Sequence, residues 1–171
     1  MRFFAIAAII VASFQNALAQ TDLKFTEADK RFQDSAPVPA AVVKLLLATR
    51  EAKGALEYVI HPELKNVARF FRGVEVRLGK TEDADLVVLG IPPMSGVDNA
   101  WFWIVRSPYK SPSVALFSGG DSLELLSSRT NGYRDVRSRW SSAAGEERES
   151  VFAFDGRKYK LRKETWTRNR R

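Results

Sequence analysis

Residues 131–163 read NGYRDVRSRWSSAAGEERESVFAFDGRKYKLRK, and this stretch largely decides the fold that we expect. Asn131-Gly132 and Asp155-Gly156 adopt positive φ at low cost, so each dipeptide can close a two-residue hairpin between flanking strands. Around these dipeptides, apolar and polar residues alternate with the period of two that is typical of strands. The stretch therefore predicts antiparallel hairpins near the C-terminal end of the chain.

Strand-like runs also precede this stretch. Residues 101–105 are apolar throughout, so we expect a central strand covered on one side by helices and on the other by loops or another layer. A Gly-Gly-Asp turn at 119–121 separates two further runs. The runs with strand character lie at 74–78, 86–91, 101–105, 114–117 and 123–126.

Two helices are predicted before these strands. Pro39 suits the first turn of one helix and Gly54 its end, while Pro62 begins a second helix that Gly73 ends. Apolar residues of the first helix recur at the spacing of one buried face: Val42, Val43, Leu46 and Leu47. The predicted fold class is α+β, with one or two N-terminal helices packed on a mostly antiparallel meander sheet of about seven strands.

The 171 residues are enough for one domain with an apolar core. Arg2, an apolar run and a small-x-small motif at 17–19 form the pattern of a cleaved signal peptide. No second apolar run of about 20 residues follows, so we expect no transmembrane segment after cleavage. The predicted divisions are a signal peptide at 1–19, a loosely ordered lead-in at 20–36, an α+β domain at 37–163 and a basic tail at 164–171.

Positive charge is concentrated near the C-terminus. The formal net charge is +7, and residues 20–128 hold 13 basic and 14 acidic residues, whereas residues 129–171 hold 13 basic and 6 acidic ones. A one-sided positive field in an exported protein indicates an anionic envelope component or an acidic protein as partner. Export argues against nucleic acid.

The chain offers little of the usual catalytic chemistry. It has no cysteine, which excludes disulfides, thiolate metal sites and cysteine nucleophiles. His61 is the only histidine, and its place directly before a proline favours a structural or exposed residue over a catalytic one. Since the common nucleotide-binding and hydrolase motifs are missing, we expect no cofactor.

Two acidic clusters leave a carboxylate enzyme formally open. Sugar hydrolysis needs two carboxylates fixed across a cleft, and we interpret both clusters as solvated loop charge. No stretch has the regular oxygen-ligand spacing of a calcium loop, so no metal is expected. The clusters are Glu82, Asp83 and Asp85, and then Glu146, Glu147 and Glu149.

Trp101 and Trp103 fall on one side of the predicted central strand. Aromatic rings on one face can form a stacking platform for sugars or bases. Core packing explains the same two residues equally simply. Both interpretations remain open from sequence.

Basic side chains recur on two predicted strands of the C-terminal sheet. Alternation places Lys158, Lys160 and Arg162 on one solvent face, with Tyr159 and Leu161 inward. If 147–154 is the strand between the two basic strands, Glu147 and Glu149 neutralise part of the positive field. The face is either ordinary solvated surface or a binding site. Its cations are Arg134, Arg137, Arg139, Lys158, Lys160 and Arg162.

The segments TNGYRDV at 130–136 and FDGRKY at 154–159 resemble the C-terminal half of a group of small secreted or periplasmic proteobacterial proteins of unknown function. Residues 96–105 are similar to the central strand of that group. The resemblance covers about residues 85–161. It implies an exported location and a compact sheet, and it implies no activity.

The leading hypothesis is therefore an exported, periplasmic or secreted, binding protein, an inhibitor or an envelope-associated factor. Its basic C-terminal sheet face would bind an anionic partner. The alternative is a carbohydrate hydrolase of the cell envelope that uses paired carboxylates and a tryptophan platform.

Overall fold

The computed structural model describes residues 21–57, 61–79, 83–95 and 99–168. The predicted signal peptide at 1–19 lies outside these residues, as do Glu82 and the side chain of His61. The helices are α1 (Lys30–Gln33), α2 (Ala40–Leu47) and α3 (Arg50–Leu56), followed by a 3-10 segment at His61–Phe70. The strands are β1 (Leu23–Thr26), β2 (Phe71–Val76), β3 (Asp85–Gly90), β4 (Ala100–Arg106), β5 (Ser113–Gly120), β6 (Ser122–Thr130), β7 (Tyr133–Ser141), β8 (Glu146–Phe154) and β9 (Tyr159–Arg168).

The nine described strands form two antiparallel sheets. One sheet has the order β2-β3-β4-β5 and the other the order β1-β6-β7-β8-β9. The prediction of an α+β fold with one seven-stranded meander is wrong, because the described helices are short and the fold is mostly β. The chain changes sheet at the predicted turn between β5 and β6, which lets the two sheets cover each other's apolar faces.

Three layers result, and β4 lies in the middle one. Phe102 and Ile104 of β4 pack into the core between the sheets, whereas Trp103 and Val105 pack into a second core under the helices. All four side chains are fully buried. The expectation of a central strand covered on both faces is confirmed.

The helical region differs from the prediction in its boundaries. α2 ends at Leu47, and Thr49 is the N-cap of a new helix, α3. The Thr49 hydroxyl accepts a hydrogen bond from the Ala52 amide. Gly54 consequently lies inside α3 and ends no helix. The predicted second helix is a 3-10 segment that non-helical angles interrupt at Asn66, and Gly73 lies within β2.

The predicted loosely ordered lead-in at 20–36 is wrong for its described residues. β1 pairs with β6, and α1 follows it. Phe25 and Phe32 are almost completely buried, with ring centroids 5.8 Å apart. Both phenylalanines belong to the core between the sheets, and their burial stabilises the position of this segment.

Both predicted hairpins form, but with different loops. Asn131 and Gly132 have φ of 51° and 80°, and Thr130 pairs directly with Tyr133, so this turn has the expected two residues. The other loop spans residues 155–158 and has four residues. β9 then continues to Arg168, so residues 164–168 of the predicted basic tail belong to the sheet.

Candidate binding surfaces

Arg134 is an interior residue. It is 3% exposed, and its guanidinium donates hydrogen bonds to the carbonyl oxygens of Leu126 (2.7 Å), Thr21 (2.8 Å) and Leu125. Burial lowers the pKa of Arg134 from its usual value. The side chain ties β1 and β6 to β7, and it contributes nothing to a surface for a partner.

Arg137 and Arg139 lie on the outer face of the five-stranded sheet, and acidic neighbours neutralise them. Arg137 lies opposite Glu124 in the strand register and forms an ion pair with it at 3.0 Å. Glu149 on β8 is 3.6 Å from Arg137 and 3.1 Å from Arg139. The expected partial neutralisation by Glu149 is therefore present at these two arginines.

The remaining predicted cations are exposed and have two further basic neighbours. We use the name basic ridge for Arg157, Lys158, Lys160, Arg162 and Lys163. Within the described part of the chain, no side chain of the basic ridge forms an ion pair. The ridge is therefore a group of exposed cations on the β8–β9 hairpin, without ion pairs in the described ranges.

A β-bulge explains why the predicted alternation fails here. Phe152 pairs with Leu161 and Val151 with Lys163, so Arg162 is an extra residue on β9. The bulge lets Arg162 and Lys163 both face solvent. Leu161 is 54% exposed and does not point inward as predicted. Tyr159 does point inward and is buried.

The loop before β9 has its own acid. The Asp155 carboxylate accepts hydrogen bonds from the amides of Lys158 and Arg157, both at 2.8 Å. These bonds, with smaller contributions from the charges of Lys160 and Lys158, lower the pKa of Asp155. Asp155 therefore serves the loop as an acceptor for backbone groups.

The structure separates the two tryptophans that the sequence places together. Trp103 is fully buried, while Trp101 is half-buried at the end of β4. Their ring centroids are 6.1 Å apart at 79°. Trp101 lines a cavity whereas Trp103 is fully buried, so the two rings do not form a shared platform.

Trp101 instead faces aromatic residues of the other sheet. Trp140, Arg148 and Trp166 lie side by side in the register of β7, β8 and β9. They form one wall of a cavity of about 430 Å³, which we call the aromatic cavity. It is lined by Glu51, Asn99, Trp101, Phe117, Gly119, Trp140, Arg148 and Trp166. Only the first pair of tryptophans is visible as a pattern in the sequence, because Trp140 and Trp166 are distant in the chain.

A second cleft of about 570 Å³ lies over the outer face of the five-stranded sheet. Arg139, Lys163, Glu147 and Glu149 line it, so its charge is mixed. Glu147 and Glu149 do not line the aromatic cavity, where Glu51 is the only carboxylate among the described residues. The arrangement required by the hydrolase hypothesis, two acids beside Trp101 and Trp103, is not formed by the described residues.

Comparisons with known proteins add no relative. No family model matches the chain. The curated proteins and the solved structures that we searched also contain no match. The resemblance to small secreted proteins of unknown function therefore stays a prediction.

The first acidic cluster is divided between surface and interior. Asp83 forms an exposed ion pair with Lys110 at 2.7 Å. Asp85 is 5% exposed, and burial raises its pKa although Ser107 and Leu78 donate backbone hydrogen bonds to it. Among the described residues, no group of three or more His, Cys, Asp or Glu is placed to hold a metal ion.

The interior near Asp85 also holds a cation and two phenols. The Arg106 guanidinium lies 4.5 Å from the Tyr133 ring centroid and donates to its hydroxyl. The buried Tyr159 hydroxyl donates to the Arg134 carbonyl at 2.9 Å, and burial raises the pKa of Tyr159. The Arg106 contact joins β4 of the four-stranded sheet to β7, and the Tyr159 hydrogen bond joins β9 to β7 within the five-stranded sheet. In the described ranges, no helix has the length and apolar character needed to cross a membrane.

Proposed function

We propose that this chain is an exported binding protein whose basic ridge binds an anionic partner, either an anionic envelope component or an acidic protein. The observation that supports the proposal most strongly is the clustering of five exposed basic residues without ion pairs among the described residues. Export rests on the signal-peptide pattern at 1–19.

The contrast with Arg137 and Arg139 strengthens this assignment. Those two cations have carboxylates within 3.6 Å, so an incoming anion would have to compete with them. No ridge cation forms such an ion pair among the described residues, although Asp155 lies in the same loop and Lys163 lines a cleft with Glu147 and Glu149. Like charges concentrated within residues 157–163 repel each other, and an anionic partner would relieve that repulsion.

The position of the ridge suits contact with an extended or flat partner. β9 is an edge strand of its sheet, and residues 160–168 are exposed. Lysines on an edge strand also prevent edge-to-edge association of sheets. A test of binding must therefore measure the oligomeric state of every variant.

The test compares two charge reversals of equal size in the mature chain. One variant carries K158E, K160E and R162E in the basic ridge. The control carries K30E, K44E and K53E, which change exposed lysines in the helical region. The probes are vesicles containing anionic phospholipid and, separately, soluble polyglutamate, at low and at high salt.

We expect the unchanged protein to bind at least one probe and to lose affinity as salt increases. The ridge variant should bind at least tenfold more weakly, while the control should stay within about threefold, because only close charges act at moderate salt. Equal losses in both variants, or no binding of either probe at low salt, would overturn the proposal. Dimerisation of the ridge variant alone would instead assign these cations to edge protection.

A further inference from the structure

The aromatic cavity shares no lining residue with the basic ridge. Its volume of about 430 Å³ is in the range of ligand pockets. Trp101 and Phe117 form one aromatic pair, with centroids 5.7 Å apart at 85°. Trp140 and Trp166 form another, with centroids 6.0 Å apart at 68°.

Arg148 fixes the wall formed by the second pair. Its guanidinium carbon lies 5.8 Å from the Trp140 ring centroid and 5.6 Å from that of Trp166. It also donates a hydrogen bond to the Gly119 carbonyl at 3.4 Å, which links the wall to β5. The Trp166 indole N–H donates to Glu164 at 3.0 Å. These contacts orient the tryptophans before any ligand arrives.

One residue that lines the aromatic cavity, Asn99, carries an unsatisfied hydrogen-bond acceptor. The Asn99 side-chain oxygen is buried and has no hydrogen-bond partner among the described residues. A buried polar atom without a partner is costly, and a ligand that donates to it would remove that cost. Glu51 of α3 also lines the aromatic cavity and adds a carboxylate acceptor.

We propose that the aromatic cavity binds a neutral sugar ring. A sugar has C–H faces that pack on indole rings and hydroxyl groups that donate to acceptors such as Asn99 and Glu51. A proline-rich peptide would supply the apolar surface, but its proline residues have no donor for these acceptors. The two charged residues of the lining, Glu51 and Arg148, have opposite signs, which favours a neutral ligand over an anion.

NMR of the full mature chain labelled with ¹⁵N provides the test. The probes are neutral glucose and N-acetylglucosamine oligosaccharides at millimolar concentration, with a proline-rich peptide and uncharged adenosine as comparison ligands. We expect an oligosaccharide to shift the indole N–H signals of Trp101, Trp140 and Trp166. The signal of the fully buried Trp103 should shift much less.

Two variants locate the site. Trp166 is 56% exposed, so W166A should leave the fold intact and weaken sugar binding at least fivefold. Asn99→Ala should weaken binding by removing the acceptor. The matched control is L161A, which removes another exposed apolar side chain from β9 outside the aromatic cavity and should bind as the unchanged protein does.

Absence of binding to every oligosaccharide would overturn the proposal, as would sugar shifts that W166A leaves unchanged. Binding of only the peptide or adenosine would assign the cavity to that ligand class instead. Because the probes are neutral, the ridge variant K158E/K160E/R162E should bind sugar normally. The sugar-binding proposal and the anion-binding proposal can therefore fail independently of each other.

Discussion

The Arg134 guanidinium donates to three backbone carbonyl oxygens inside the protein, and this geometry assigns it to stability. We expect Arg134→Met to lower the free energy of unfolding by about 3 kcal/mol, because it leaves buried acceptors without donors. Urea unfolding followed by circular dichroism measures the change. Arg162→Met in the basic ridge, which is exposed, should change stability by at most about 0.5 kcal/mol.

If Arg134→Met were as stable as Arg162→Met, the interior role of Arg134 would be refuted. The same pair of variants also separates stability from binding. Arg162→Met should weaken the binding of an anionic probe, whereas Arg134→Met should affect it only through the folded fraction.

Asp29 gives a pH-dependent contribution whose sign follows from its pKa. The Arg31 side chain, and to a smaller degree its backbone amide, lowers the pKa of Asp29 in the folded protein. A lowered acid pKa stabilises the fold above the unfolded value of about 3.9, and this stabilisation is lost as pH falls through the folded pKa.

Asp29→Asn keeps the N-cap acceptor for α1 but removes the charge. We therefore expect the unchanged protein to lose more stability than Asp29→Asn between pH 6 and about pH 3. Urea unfolding at several pH values gives both curves. Parallel curves would show that the Arg31 contact does not favour the ionised carboxylate.

Replacing a glycine by alanine should have opposite effects on stability in the β6–β7 turn and in α3. A Cβ at Gly132 or at Gly54 would meet no atom within 4 Å, so backbone conformation alone decides. Gly132 has φ of 80° in the β6–β7 turn, and Gly132→Ala should cost about 1 kcal/mol. Gly54 lies inside α3, where Gly54→Ala should stabilise by about 0.5–1 kcal/mol.

Thermal unfolding of both variants measures this pair. Changes of the same sign would contradict either the left-handed turn or the helical position of Gly54. The Asn131-Gly132 turn was predictable because its chemistry is local. The β-bulge in β9 was not, since it depends on how Tyr159 and Leu161 meet the strand beside them.

For the whole molecule, β4 couples the core between the sheets to the core under the helices. Ile104 belongs to the first core and Leu46 of α2 to the second, and both are fully buried. We expect Ile104→Ala and Leu46→Ala each to lower the free energy of unfolding by about 2–5 kcal/mol.

Each variant should still unfold in one transition, because neighbouring residues of the same strand pack into both cores. Far-UV circular dichroism and tryptophan fluorescence should therefore give the same midpoint. Loss of the fluorescence change before the loss of strand signal in Leu46→Ala would show that the helical layer unfolds separately.

Local chemistry in the chain determined the strand positions, the first hairpin turn, the burial of β4 and the excess of positive charge near the C-terminus. These features depend on side-chain alternation and on residues that tolerate positive φ, which act over a few neighbours. The predicted helices and the lead-in were less accurate, because their conformation depends on distant packing partners such as those of Phe25 and Phe32.

Long-range packing alone decided which charges and rings share a surface. It folded one predicted meander into two sheets, placed Arg134 in the interior and left the basic ridge without ion pairs among the described residues. It also removed Trp103 from solvent and brought Trp101 to Trp140 and Trp166. Pairing between strands joins residues far apart in the chain, and no local pattern records that pairing.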